Sequence, residues 1–355
     1  MSQAMKYQTM EGIVPQGSTA HEMLTGLTLQ EQRDDSDRIV KTVAGKLKFS
    51  KLALPQVVDF SLDGNTFISG SLDGFIEVWD ATRCTLRKDL PYQSKDEFMM
   101  HTCGITALKI SSCGQLLASG SVDGMLKMWK IASGSCLRTF AAAHTGSITS
   151  LSYLSDGTQI LTSSSDGTCR IFGLKSGRVL KEFRQGNFPM ISATLTCNDT
   201  QLLAASNTGT FQLWKIATSN CLYTYRPPQA VQGVDLEIVR VILVPSALGL
   251  HTVDTIIVLS RTTTIEWLSL SGTLLQTWTI EDMKGVVVDG VLSNHGKFLY
   301  VLTETGWIWT LSVPAGIVQH TLQVSAKEVY GMQHHPRRNL VCTYGMDAHV
   351  RFWKV

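Results

Sequence analysis

The sequence predicts an all-β fold, a seven-bladed β-propeller closed by a strand from near the N-terminus and preceded by a short, partly helical extension. Three observations predict it. The stretch S-G-S-L-D-G-F-I-E-V-W-D at 69–80 returns as S-G-S-V-D-G-M-L-K-M-W-K at 119–130. Seven aromatic residues, Trp79, Trp129, Phe172, Trp214, Trp267, Trp309 and Trp353, each close a similar copy, at separations of 42 to 53 residues. A period of about 40 to 45 residues marks a four-stranded unit repeated around an axis. Finally, the chain stops at R-F-W-K-V, after the third strand of the seventh copy, so one strand must come from elsewhere.

Taken in chain order, residues 1–44 form the extension. Thr19 and Glu22 have capping-box spacing for a short helix, and Pro15 and Gly17 break what precedes it. The run E-Q-R-D-D-S-D-R reads as a solvated connector, with Ile39 and Val43 as docking points. Residues 45–355 form the propeller. G-K-L-K-F-S-K at 45–51 alternates Leu47 and Phe49 against Lys46 and Lys48, and is expected to be the outermost strand of the last blade, with its lysines blunting the sheet edge. Within each copy, partly alternating runs such as I-T-A-L-K-I and I-T-S-L-S-Y read as strands, and D-G or N-D-T supplies the turns. One small sheet cannot cover both of its faces, whereas radial stacking covers both.

Composition excludes several classes of function. With 31 basic and 29 acidic side chains the formal net charge is +2, which gives no field to gather polyanions, so no direct nucleic-acid binding is expected. Hydrophobic residues make up 44%, enough to build a core, yet no apolar run approaches the roughly 18 residues of a membrane span. The eight cysteines never form C-x-x-C and read as small buried hydrophobes in a reducing, intracellular compartment.

His101 precedes Asp123, and His144 precedes Asp166, by 22 residues in each case. A His–Asp pair is the base and orienter of a catalytic triad. Recurrence at one spacing in neighbouring repeats instead predicts a hydrogen-bond network inside each blade. Its members are His101, Ser119, Asp123 and Trp129 in one copy and His144, Thr162 and Asp166 in the next, shorter by one donor because Phe172 lacks an indole N–H. His334 and His335 are adjacent, point to opposite faces of a strand, and read as a blade-edge turn rather than a metal pair. No nucleotide, hydrolase or zinc-protease motif is present, so neither catalysis, cofactor nor metal is expected. Candidate partner-binding residues are Leu72, Val122 and Met346, apolar side chains at turn tips, and Arg226, Pro227 and Pro228, which open the insertion at 226–238.

The copies resemble the WD-repeat family. More specifically, G-F-I-E-V-W at 74–79, R-K-D-L at 87–90, G-L-K-S-G-R-V-L-K-E-F-R at 173–184 and H-H-P-R-R-N-L at 334–340 resemble the Smu-one splicing factors, which join LisH and CTLH helical motifs to a seven-bladed WD-repeat domain. The resemblance runs from about residue 3, with 3–17 similar to the end of the CTLH-like region. It implies a nuclear, non-enzymatic scaffold of the spliceosome before activation, with a RED-type splicing protein and other spliceosomal proteins as partners. LisH-mediated dimerisation is not expected, because that segment is absent. The rival is a ubiquitin-ligase substrate receptor. Those often end a repeat with W-D-x-R, whereas this chain offers W-D-A-T at 79–82 and W-K-I-A at 129–132 and 214–217.

Overall fold

In the computed structural model, the structure describes residues 36–50, 53–184, 186, 188–227, 237–251, 253–313 and 315–355. Seven antiparallel sheets follow one another around an axis, at residues 55–100, 105–140, 148–184, 190–225, 238–279, 287–323 and 329–354. In each, the first strand lies innermost and the second and third follow outward in chain order, and all seven closing aromatics sit on third strands. Burial follows radial position. Second strands such as Leu116–Ser121 are buried almost throughout because both faces meet a neighbouring blade. Outer strands such as Val318–Gln323 alternate half-buried and exposed residues.

The seventh sheet takes its fourth strand from Thr42–Lys48, which pairs antiparallel with His349–Lys354, Leu47 opposite Val350. The strand begins three residues before the predicted Gly45 and ends at Lys48. Ala44, Leu47 and Phe49 are buried in the core between blades seven and one, with Phe60, Phe67 and Phe352, while Lys46 and Lys48 are exposed. Val40, 1% exposed, packs between blades six and seven, whereas Val43 is exposed, so the docking residues are Ile39 and Val40. The predicted helix around Thr19 and Glu22 lies outside the described residues.

Asp37 fastens this segment. In several blades the turn after the inner strand is held by its own Asp or Asn: Asp63 accepts from Ser61 Oγ and Asn65 N, and Asn198 accepts from Thr196 Oγ1 and Thr200 N. Blade six carries His295 at that position. Asp37 supplies the missing carboxylate, accepting from Ser293 Oγ at 2.5 Å, Lys297 N at 3.1 Å and His295 N at 3.1 Å. Asn339 brackets the same segment, donating to Ser36 O and accepting from Arg38 N.

Blade one departs from the predicted plan. Its outer strand is split into Thr85–Leu86 and Met99–Met100, both paired with Phe75–Asp80, and the insertion between them contains the one-turn helix Pro91–Ser94. Val78, in the gap, has no strand partner on that side. The buried Gln93 carboxamide takes the strand's place: its Oε1 accepts from Val78 N at 2.7 Å and its Nε2 donates to Val78 O at 2.9 Å. Tyr92 then reaches blade two, donating to Ile131 O at 2.9 Å.

The recurring D-G turn has a steric cause. Gly124 has φ +76°, and a Cβ on it would lie 2.3 Å from His144 O. The loops entering blades two and three dock on such a glycine, as His101 N donates to Gly74 O and His144 N to Gly124 O. A side chain would push the blades apart.

Candidate protein-interaction face

The third blade's polar network joins His144 Nδ1 to Asp166 Oδ2 at 3.0 Å and His144 Nε2 to Thr162 Oγ1 at 2.7 Å, with Thr168 Oγ1 bridging Asp166 and the ring. A carboxylate only accepts, so Nδ1–H donates to Asp166 and the neutral ring's Nε2 accepts from Thr162. Burial lowers the His144 pKa against the pull of Asp166. Burial opposes the Asp166 charge, but the Thr168 hydroxyl, the His144 ring and the Thr145 amide outweigh it and hold that carboxyl at about 2. The order carboxylate, imidazole, hydroxyl is that of a proton relay, yet Thr162 is 0% exposed, so no substrate-facing side exists.

The second blade differs from the sequence expectation. His101 Nε2 lies 2.6 Å from Ser119 Oγ, which also accepts from Trp129 Nε1 at 2.8 Å. Asp123 does not join them. It accepts from Ser121 and Thr102 hydroxyls and from Met125 N, leaving His101 Nδ1 without a partner. The residue after the turn glycine explains the difference: Thr168 ties Asp166 to its histidine, whereas Met125 at the matching position has no hydroxyl, and Ser121 draws Asp123 back into its own turn. The blade with Phe172 therefore has the longer network, the reverse of the expectation. Burial, aided by the Lys127 charge, lowers the His101 pKa to about 4.

His335 also ties blades together. Its Nε2 donates to Gly64 O of blade one at 3.0 Å and its Nδ1 accepts from Arg337 N, while His334 Nδ1 bonds His335 O. The two rings diverge, and among the described residues no three potential ligands gather as a metal site requires. Of the cysteines, Cys84, Cys169 and Cys342 are buried, but Cys103, Cys113, Cys136, Cys197 and Cys221 are exposed, contrary to the expectation of buried thiols. All eight are free.

Charges on the innermost strands cancel across blades. Asp59 accepts from Lys109 Nζ at 2.9 Å and Ile110 N at 2.8 Å, and Asp289 accepts from Arg240 at 2.6 Å and Met332 N at 2.9 Å. A cavity of about 290 Å³ opens at the ends of the innermost strands of blades seven, one, two and three, bordered by Asp59, Lys109, Tyr153 and Gln333. Its one described cation is already paired, so it offers no cluster of positive charge to a phosphate chain.

The opposite face carries the turns between second and third strands. In all seven blades the same turn residue donates its backbone N–H to the loop entering that blade. Leu72 bonds Leu54 O, Val122 Gly104 O, Ser165 Ser147 O, Asn207 Pro189 O, Arg261 Glu237 O, Glu304 Val286 O and Met346 Glu328 O, all at 2.9 or 3.0 Å. The seven side chains thus stand at equivalent places on a rigid rim. Leu72, Val122 and Met346 are 50%, 51% and 53% exposed, and they occupy the adjacent blades one, two and seven. Phe188, exposed in the loop entering blade four, lies on the same face and was not singled out from the sequence. Arg226 is exposed and Pro227 buried at the end of blade four, away from this arc; Pro228 lies outside the described residues.

Among the described residues no helix is long and apolar enough to cross a membrane. The family model described as WD domain, G-beta repeat matches residues 56–80, 93–130, 134–173 and 316–354. The WD40 repeat-containing protein smu1 of Dictyostelium discoideum is 34% identical over 358 residues, covering 100% of this chain and 66% of that protein, so the chain spans just under two thirds of that relative's length. Shorter matches include the ribosome biogenesis protein BOP1 homolog of Arabidopsis thaliana, 40% identical over 15% of this chain and 8% of that one. The small ribosomal subunit protein RACK1y of Oryza sativa subsp. japonica is 35% identical over 20% of this chain and 19% of its own. Seven antiparallel blades, the repeated D-G turn with its closing aromatic, and these matches lead to one conclusion: the chain belongs to the WD-repeat family of β-propellers and is similar along its whole length to smu1.

Proposed function

We propose that this protein is a nuclear, non-enzymatic scaffold in pre-mRNA splicing. In this reading it acts in the spliceosome before activation, beside a RED-type partner. The observation that carries the reading is the similarity to smu1 along the whole of this chain, together with the discriminating runs at 87–90, 173–184 and 334–340 that resemble the Smu-one splicing factors. Residues 1–44 are read as the end of a CTLH-like region plus a linker and 45–355 as the propeller, with the closing strand reaching back to Thr42. The geometry supports a binding role rather than catalysis. Its His–Asp contact is buried and neutral at the ring, its innermost charges are paired, and three exposed apolar side chains stand at equivalent turns of adjacent blades on one rim. Leu72, Val122 and Met346 are the proposed contact residues.

The test is capture from nuclear extract by the tagged full chain, read by quantitative mass spectrometry. Enrichment of spliceosomal proteins, with a RED-type protein among them, is the expected result. Their consistent absence, or recovery of cullin-ligase adaptors in their place, overturns the proposal.

A further inference from the structure

We infer that the rim of blades seven, one and two docks an extended protein segment carrying aliphatic side chains and at least one Lys or Arg. This names the chemistry of the partner that the scaffold reading requires, and it rests on that reading. The seven equivalent rim positions divide into two arcs. Met346, Leu72 and Val122 are apolar and about half exposed in three adjacent blades, whereas Ser165, Asn207, Arg261 and Glu304 fill the other four. The next residue divides the ring again: Asp347, Asp73, Asp123 and Asp166 in blades seven, one, two and three, against Thr208, Thr262 and Thr305 in blades four to six. Apolar exposure and carboxylates therefore coincide on one side.

The two arcs also differ in how their charge is balanced. Arg261 lies 3.5 Å from both Glu237 and Glu304, so each of these carboxylates on the polar arc already has a cationic partner. On the apolar side Asp347 is paired with Arg351, and Asp166 accepts from a neutral imidazole. Asp73 accepts from the Ser71 hydroxyl and Phe75 N, and Asp123 from hydroxyls, Met125 N and the Cys103 thiol, with no Lys or Arg of the described residues within 4 Å of either. Each of these two carboxylates directly follows an exposed apolar residue, Leu72 or Val122. A Lys or Arg between aliphatic groups is the side chain that meets both features, since it covers apolar surface with its stem and presents charge at its tip. The same carboxylates repel phosphate, which disfavours RNA on this rim.

The test is fluorescence anisotropy of the full chain with four probes. These are a 12-residue peptide of Leu, Val, Gly and Arg, the same peptide with Glu for Arg, the same with Ser for Leu and Val, and a 12-nucleotide single-stranded RNA. The first should bind at least about tenfold more tightly than the others. Replacing Leu72, Val122 and Met346 together by Ser, the residue blade three already has there, should weaken it by about tenfold or more while leaving the melting temperature unchanged. Asp73→Asn with Asp123→Asn keeps the acceptors of both turns and should shrink the preference for Arg over Glu to about threefold or less. Equal binding of the Glu or Ser peptides, preference for RNA, no binding of any probe, or a triple variant that binds as before overturns the inference. A chain that captures spliceosomal proteins without these peptide preferences sinks the docking inference alone. One that shows the preferences but captures no such proteins sinks the splicing reading alone.

Discussion

Gln93→Met tests whether one side chain stands in for a missing strand. The substitution keeps length and approximate volume but removes both hydrogen-bonding groups from a buried position. Val78 O keeps a donor in Arg87 N at 3.0 Å, and Arg87 O keeps Leu90 N at 3.3 Å. Val78 N, which donates to Gln93 Oε1 at 2.7 Å, is left buried with no acceptor. An orphaned buried amide costs about 1–3 kcal/mol, and loss of the two bonds from Nε2 adds about 1 kcal/mol, so the loss should be about 2–4 kcal/mol. With an unfolding entropy of about 2 cal/mol/K per residue, a propeller of roughly 310 residues should melt about 3–6 °C lower. Gln93→Glu keeps the acceptor but sets a carboxylate oxygen against the carbonyls of Val78 and Arg87. It should lose more than Gln93→Met at neutral pH, and the difference should narrow in acid, where a protonated carboxyl donates again. Thermal unfolding followed by tryptophan fluorescence measures both. A Gln93→Met protein within about 0.5 kcal/mol of wild type would refute the reasoning, because a buried amide cannot lose its sole partner at no cost.

Two further outcomes follow from the same geometry. Asp37→Ala removes the acceptor of Ser293 Oγ, His295 N and Lys297 N, and should cost about 2–4 kcal/mol in unfolding free energy measured with urea; Asp37→Asn, which still accepts, should cost less. Stability should also fall on acidification. His101, His334 and His335 are buried with their pKa lowered to about 4 and His144 is lowered too, while in the unfolded chain each titrates near 6.5. The unfolded state therefore takes up protons first, and the stabilisation present above about pH 6.5 is lost as pH falls toward about 4, at up to roughly 3 kcal/mol per histidine at the three with pKa near 4. Urea midpoints between pH 7.5 and 5 check this, and a flat profile contradicts it.

Much of the architecture was legible because a repeat announces itself. Seven aromatics at third-strand ends, the shared D-G turn and the missing last strand were enough to place seven sheets and to pick Leu47 and Phe49 as the buried side of the closing strand. What escaped was carried by side chains that substitute for backbone or for one another. Gln93 imitates a strand without any alternation to betray it, so the 50-residue gap between Trp79 and Trp129 read as a repeat of ordinary shape. Asp37 leaves a faint trace: His295 stands where other blades have Asp63, Asp156 or Asn198, a vacancy that asks for an acceptor from elsewhere. The networks of blades two and three read alike because His, Asp and their spacing match, yet Thr168 against Met125 decides whether the aspartate reaches the ring. The apolar rim was found as three separate turn residues. Its grouping on one side follows only from closure, which sets blade seven beside blade one.

Both rims exist as continuous surfaces only if the segment from Ser36 to Lys48 holds the ring shut, and amide hydrogen exchange of the intact protein measures that directly. The amides of Thr42–Lys48 are predicted to exchange as slowly as those of their partner strand His349–Lys354, and Asp37→Ala is predicted to speed both together. Rapid exchange across 42–48 beside a slow 349–354 would contradict closure by this strand, and with it the arc joining Met346 to Leu72.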